Sequence, residues 1–308
     1  MSATEHGSGT SEFDAGEVII QHVSNSSIDH PILELPIIFG INFSITKHVL
    51  MIWLVAIFVF TVITWAIRKY VRQEQPVPSG FMNALEAVIQ FIRDSIVRPN
   101  VGEKFTNTWA PLILTFFCFI LTANAIGLVP IFDLIGAINR FVLGVPSTDS
   151  HNFINKLLHG GVTATGNYNV TAALAIITFF SIMIAGTKAH GFLTHWKNLV
   201  PSGLAWPIYI LLIPIELIGM LVKPFALTMR LAANMTGGHI AILAILSFVF
   251  IFSSLFSSTL AGIGAGVLVS VPLAVGISAL EIIVVLVQAY VFTMLTAVFI
   301  GMAINVHH

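Results

Sequence analysis

Five apolar runs divide the chain, separated by short polar stretches that hold most of its charge. The first covers residues 49–67, nineteen positions. At 1.5 Å per residue that is just enough to cross about 30 Å of hydrocarbon. Arg68, Lys69 and Arg72 follow it directly. In residues 81–98 the apolar positions Phe81, Leu85, Val88, Ile89, Ile92 and Ile96 recur at helical spacing, with Glu86, Gln90, Arg93 and Asp94 opposite. That pattern predicts an amphipathic helix lying along the membrane surface. Further runs cover 109–131, which contains Asn124 and ends at Pro130, and 170–186. The last two, 204–256 and 260–305, are each more than twice the roughly 20 residues of an upright span. No polar loop divides either of them, and Pro207, Pro214, Pro224 and Pro272 offer kinks. The pattern therefore predicts two long tilted helices. The expected fold is an all-α polytopic membrane protein: an N-terminal spanning helix, a surface amphipathic helix, a two-helix hairpin and a long tilted helical hairpin. Residues 1–46 form a separate acidic N-terminal segment, and 47–308 the membrane domain.

Composition supports this. Of 308 residues 56% are hydrophobic and 9% charged, whereas a soluble domain carries about 25% charged residues. The formal charge is −1, so no basic stripe exists to bind nucleic acid. One cysteine, Cys118, excludes a disulfide framework or a thiolate metal cluster within the chain. Residues 1–46 hold Glu5, Glu12, Asp14, Glu17, Asp29 and Glu34, with no Lys or Arg. Their opening lacks the basic patch and apolar core of a secretory signal. Lys and Arg concentrate in 68–107, with Lys188 and Lys197 after the third run. The positive-inside rule then places those connectors and the C-terminus in the cytoplasm, with the N-terminus outside. The expected location is the cell's inner (cytoplasmic) membrane.

From residue 204 onward only Glu216, Lys223, Arg230 and Glu281 are formally charged, and His239 is the sole histidine before His307. An ionisable side chain in a spanning helix costs roughly 2.5–3.5 kcal/mol on insertion scales. If the two long runs pack as an antiparallel hairpin, residues at one depth are equidistant from its turn. Arg230 and Gln288 are centred on residue 259, and His239 and Glu281 on residue 260, where the SSLFSST turn lies. Two polar pairs thus agree on one register. Polar groups on both arms would line one face as a wet or proton-conducting path. Imidazole passes protons near neutrality, a partly desolvated Glu is drawn toward the same range, and Arg stays charged.

The stretch IELIGMLVKPFALTMRLAANMTGGHIA resembles the signature of subunit a of F-type ATP synthases, and LEIIVVLVQAYVFTMLTAVFIGMA resembles its final segment. WAPLILTFFCFILTANAIGLVP and GNYNVTAALAIITFF are similar to the family's preceding segments. The likeness covers roughly residues 45–305. It implies a non-catalytic, proton-translocating stator with no cofactor, partnered by the c-subunit ring, the b-subunit peripheral stalk and the rest of the synthase. It further implies that Arg230 is the stator arginine facing the c-ring. Asn234 would be the neighbouring channel asparagine and Gln288 the glutamine opposite the arginine. His239 and Glu281 would form the relay of the outer half-channel, and Glu216 would line the cytoplasmic one. In some members the acid and the imidazole exchange these two positions.

A secondary transporter with a buried charged substrate site is the alternative, although no internal repeat supports it. A membrane scaffold with incidental ion pairs is a third reading. His190 and His195 are expected in an exposed loop. AGIGAG at 261–266 follows no strand and reads as close helix packing, not a dinucleotide loop. Asn124 is expected either to line a channel or to bridge two helices.

Overall fold

The computed structural model of the chain describes residues 31–38, 40–71, 79–129, 163–197, 206–256 and 259–305, with isolated positions 16, 19–20, 135 and 138–139. Most of the acidic N-terminal segment lies outside the described residues. So does the loop carrying Asp133, Arg140, Asp149 and Lys156. Two two-residue strands, β1 (Ile37–Ile38) and β2 (Ile41–Asn42), pair antiparallel around Gly40, whose φ is +79°. Everything else of length is helical.

The described residues contain 5 helices long and apolar enough to cross a membrane. They begin with α1 (Lys47–Val71), 25 residues with no acid in the first turn. A surface-type helix follows, α2 (Phe81–Gln90), none of whose residues is buried. It runs without a break into a π-helical stretch, Phe91–Val97, and a last turn, α3 (Arg98–Val101). Here the structure departs from the amphipathic surface helix expected at 81–98. Its first half has no buried residue, whereas its second half buries its apolar side and leaves Phe91, Arg93, Ser95 and Arg98 exposed. Ile92, Ile96, Val97 and Val101 are buried among Trp109, Ala110, Ile113, Ala185, Ala297 and Ile300. The wider π turn swings this apolar stripe into the protein, and Arg93, Asp94 and Arg98 stay outside as an exposed ion-pair cluster.

Gly102, at φ +79°, turns the chain into α4 (Glu103–Leu128). Next among the described residues come a 3₁₀ turn at Ala164–Gly166 and α5 (Tyr168–His190). Asn167 caps α5, its side chain accepting from the Asn169 N–H. After Gly191 a short helix, α6 (Phe192–Lys197), folds back on α5. His195 is therefore not in an exposed loop, as the sequence suggests. It is 5% exposed, its ring lying against Gly186, where a Cβ would collide with it. His190 is also engaged, through Nε2 to the Ile304 carbonyl at 2.8 Å.

The two longest runs become α7 (Trp206–Leu255) and α8 (Thr259–Ile304), 50 and 46 residues, packed on each other as a hairpin. Their length follows from the absence of a polar break. Pro214, Pro224 and Pro272 lie inside them. The two helices form the expected antiparallel hairpin, with the anticipated level at Glu281 and a centre shifted by about two residues on either side of it. Gly262 faces Phe252 and Ser253, Gly266 faces Val249, and Gly238 faces Glu281. Two of the AGIGAG glycines thus press on the backbone of α7, which is the close packing anticipated for them. A second apolar cluster (Phe116, Ile120, Ala175, Leu227, Leu231, Ala289 and Phe292) ties the hairpin to α4 and α5. The Phe116 and Phe292 rings meet edge to face at 5.6 Å.

Two outcomes follow from this packing. Gly266→Val would place its side chain into the α7 backbone, and the hairpin should lose about 1–3 kcal/mol, read as a lower midpoint in detergent thermal unfolding. Burial, and then the neighbouring His190 charge, hold the His195 imidazole below its usual 6.5. The unfolded segment therefore takes up protons first on acidification, and the α5–α6 contact should weaken as pH falls below about 6.5. Amide protection factors in 192–197, corrected for the intrinsic pH dependence of exchange, should fall between pH 7.5 and 5.5, and His195→Phe should flatten that dependence.

Candidate functional site: a polar seam in the long hairpin

Arg230 is the twenty-fifth of the 50 residues of α7. At 1.5 Å per residue it lies about 36 Å along the helix from Trp206, with a similar length beyond it. Its side chain is exposed on the surface of the chain. Among the described residues it makes no ion pair; those present join Arg93, Arg98, Asp94 and Glu103 on the outside of the α2–α3 segment and the start of α4. Leu227 and Leu231 on either side are buried in the core cluster, which fixes the helix rotation and turns Arg230 outward. Lys223, two turns earlier, places its ammonium over the Phe299 ring, 5.6 Å from the centroid.

Asn234 lies one turn beyond Arg230 on the same exposed strip. Its Nδ2 donates to Gln288 Oε1 across the hairpin at 3.0 Å. Gln288 itself is buried, 5% exposed. The structure therefore brings Asn234 and Gln288 to one level, with Arg230 one turn, about 6 Å, away along α7. Glu216, half-buried, is 14 residues before Arg230. That is about 21 Å along the helix and, at 3.6 residues per turn, within about 40° of the same face.

Glu281 sits one face-repeat before Gln288 on α8 and is 3% exposed. Its carboxylate rests against Gly238, where any Cβ would strike Oε1. Neither oxygen has a hydrogen-bond partner among the described residues. His239 is next in the chain to Gly238, so the expected depth agreement holds. No hydrogen bond joins the two side chains, however, and the polar groups do not share one face. His239 is nine residues from Arg230, about two and a half turns, and so projects from nearly the opposite side of α7. There its Nε2 meets Thr163 Oγ1 at 2.7 Å.

That contact belongs to a buried polar cluster of which the sequence singles out only Asn124 and His239. Thr163 and Thr165 are 2% and 0% exposed. Thr165 Oγ1 donates to Asn124 Oδ1, so Asn124 bridges α4 to the 3₁₀ turn. Thr236 Oγ1 donates to the Gly166 carbonyl at 3.3 Å. The signal available was weak: TATGNYN is a run of small polar residues, which reads as an ordinary loop.

Five apolar helices around a buried polar seam, with an arginine outside it at mid-helix, define a multi-pass membrane protein organised around charge. The family described as ATP synthase A chain matches residues 49–301, and the chain belongs to it. It is similar to ATP synthase subunit a 2 of Chlorobium luteolum, 39% identical over 310 residues, 96% of this chain and 77% of the relative. ATP synthase subunit a 2 of Prosthecochloris aestuarii is 38% identical, over 98% of this chain and 83% of its own. ATP synthase subunit a of an Anaeromyxobacter species is 35% identical, over 99% and 62% respectively. Such coverage takes in most of the acidic N-terminal segment as well as the membrane helices.

The Asn234–Gln288 bond gives a direct test of the seam. A double-mutant cycle with Asn234→Leu and Gln288→Leu should show a coupling of about 0.5–1.5 kcal/mol in thermal unfolding of the purified chain. Additive losses would mean that the bond contributes nothing.

Proposed function

We propose that this chain is the proton-translocating stator subunit of a rotary F-type ATP synthase, offering two half-channels to a ring of c subunits and coupling ion flow to rotation. The carrying observation is Arg230: a cation at the centre of a 50-residue apolar helix, exposed, and making no ion pair among the described residues. Against lipid alone that arrangement costs several kcal/mol. Against a ring of carboxylates supplied by a partner it becomes favourable.

In this reading a proton enters from outside, passes the His239 and Glu281 region and neutralises a ring carboxylate. A neutral carboxyl tolerates lipid far better than an ionised one, so the ring can then turn that site away from the stator. After nearly a full turn the carboxyl reaches the zone between Arg230 and Glu216 and gives its proton up to the cytoplasm. Arg230 holds the deprotonated carboxylate and blocks direct leakage between the two paths. Asn234 and Gln288, bonded to each other, present amides to the same zone. Each charge moved is worth about 2.3 kcal/mol per 100 mV. The N-terminus lies outside and the C-terminus inside, and the b-subunit stalk holds the chain against the turning ring. ATP is made or broken on other subunits of the complex.

Arg230→Ala should abolish ATP synthesis and proton-driven rotation in membrane vesicles while the complex still assembles. Coupled synthesis at the normal rate in that variant would overturn the reading.

A further inference from the structure

We propose that Thr163 is a positioning residue for proton transfer through His239; the inference rests on the stator reading above. The hydroxyl is placed by packing on several sides. Gly127 of α4 lies against the Thr163 side chain with no space for a Cβ between them. Thr165 is tied to Asn124 and Gly166 to Thr236, so the 3₁₀ turn is pinned to both α4 and α7. Asn167 then commits the next residues to α5. A side chain held this way, 2% exposed, has little freedom to leave the His239 Nε2 atom that it meets at 2.7 Å.

The chemistry suits a group that gains and loses protons. A hydroxyl both donates and accepts. It accepts from Nε2–H when the ring is protonated there and donates to Nε2 when the lone pair is free. The contact therefore survives both states of the ring, and the hydroxyl needs only to rotate. An amide would have to flip, and a carboxylate would favour one state strongly. Because His239 points away from the Arg230 strip, the ring is not held by the Asn234–Gln288 bond. The Thr163 contact keeps its plane fixed while a proton moves to or from Glu281, whose carboxylate lies against the adjacent Gly238. Glu281 makes no hydrogen bond of its own among the described residues, which leaves the geometry of this transfer to the imidazole.

The test uses the complete ATP synthase in membrane vesicles, measuring ATP synthesis driven by an imposed proton gradient and passive proton conduction after the catalytic sector is removed. Thr163→Val keeps the methyl against Gly127 and removes the hydroxyl. It should slow both rates roughly tenfold. Thr163→Ser should restore them to near the wild-type values. In a His239→Ala background Thr163→Val should have no further effect. Should Thr163→Val fail to assemble, Thr163→Ala is read in its place. Wild-type rates in the assembled Val or Ala variant, equal losses in the Ser and Val variants, or a full additive loss in the His239→Ala background would each overturn the inference. If Arg230→Ala loses coupling while Thr163→Val does not, only the role of Thr163 fails. If Arg230→Ala still couples, the stator reading itself fails.

Discussion

The structure turns on one unsatisfied guanidinium. Arg230 makes no ion pair among the described residues and stands about 36 Å along its helix from the nearer end. Snorkelling does not solve this, because a side chain reaches only a few ångströms beyond its own turn. On the proposed reading a partner brings negative charge to it. The surrounding architecture serves that exposure. Leu227 and Leu231 lock the rotation of α7, Gln288 braces Asn234 from behind, and α4 and α5 back the hairpin from the other side.

Close approach of α7 and α8 is the second organising device. The glycines at 262 and 266 let backbones touch near the turn, and Gly238 performs the same service beside Glu281. At the first two positions the absent side chain admits a main chain, which is a matter of cohesion. At the third it admits a carboxylate, which is a matter of chemistry. One geometric rule thus holds the hairpin together and seats its buried acid.

Much of this was legible in the chain beforehand. Spans are written in the length of apolar runs, and the hairpin register followed from Arg230, Gln288, His239 and Glu281 being equidistant from a serine-rich turn. The resemblance around Arg230 was specific enough to name the family. The facing of His239 was less legible. Depth is set by index alone, but direction also depends on rotation about the axis, and nine residues turn a helix by about half a revolution beyond two full ones. The Thr163–Gly166 turn was hidden because small polar residues look alike whether they sit in solvent or in a core. His195 was misread for a similar reason: only Gly186, five positions before the connector begins, reveals the space for its ring. The π-helical stretch was also invisible, since its amphipathic spacing fits an ordinary α-helix until burial is known.

That π-helical stretch has a mechanical consequence. Along it Ile92, Ile96 and Val97 are buried in the protein. It also brings Asn100 against the far end of α8, where Gly301 leaves room for its carbonyl and the Asn305 amide donates to it at 3.1 Å. The segment becomes a strut anchored at the foot of the long hairpin. A brace at that foot ties the end of α8 to the α3 turn, so that a sideways load on the hairpin is shared with the segment beside it.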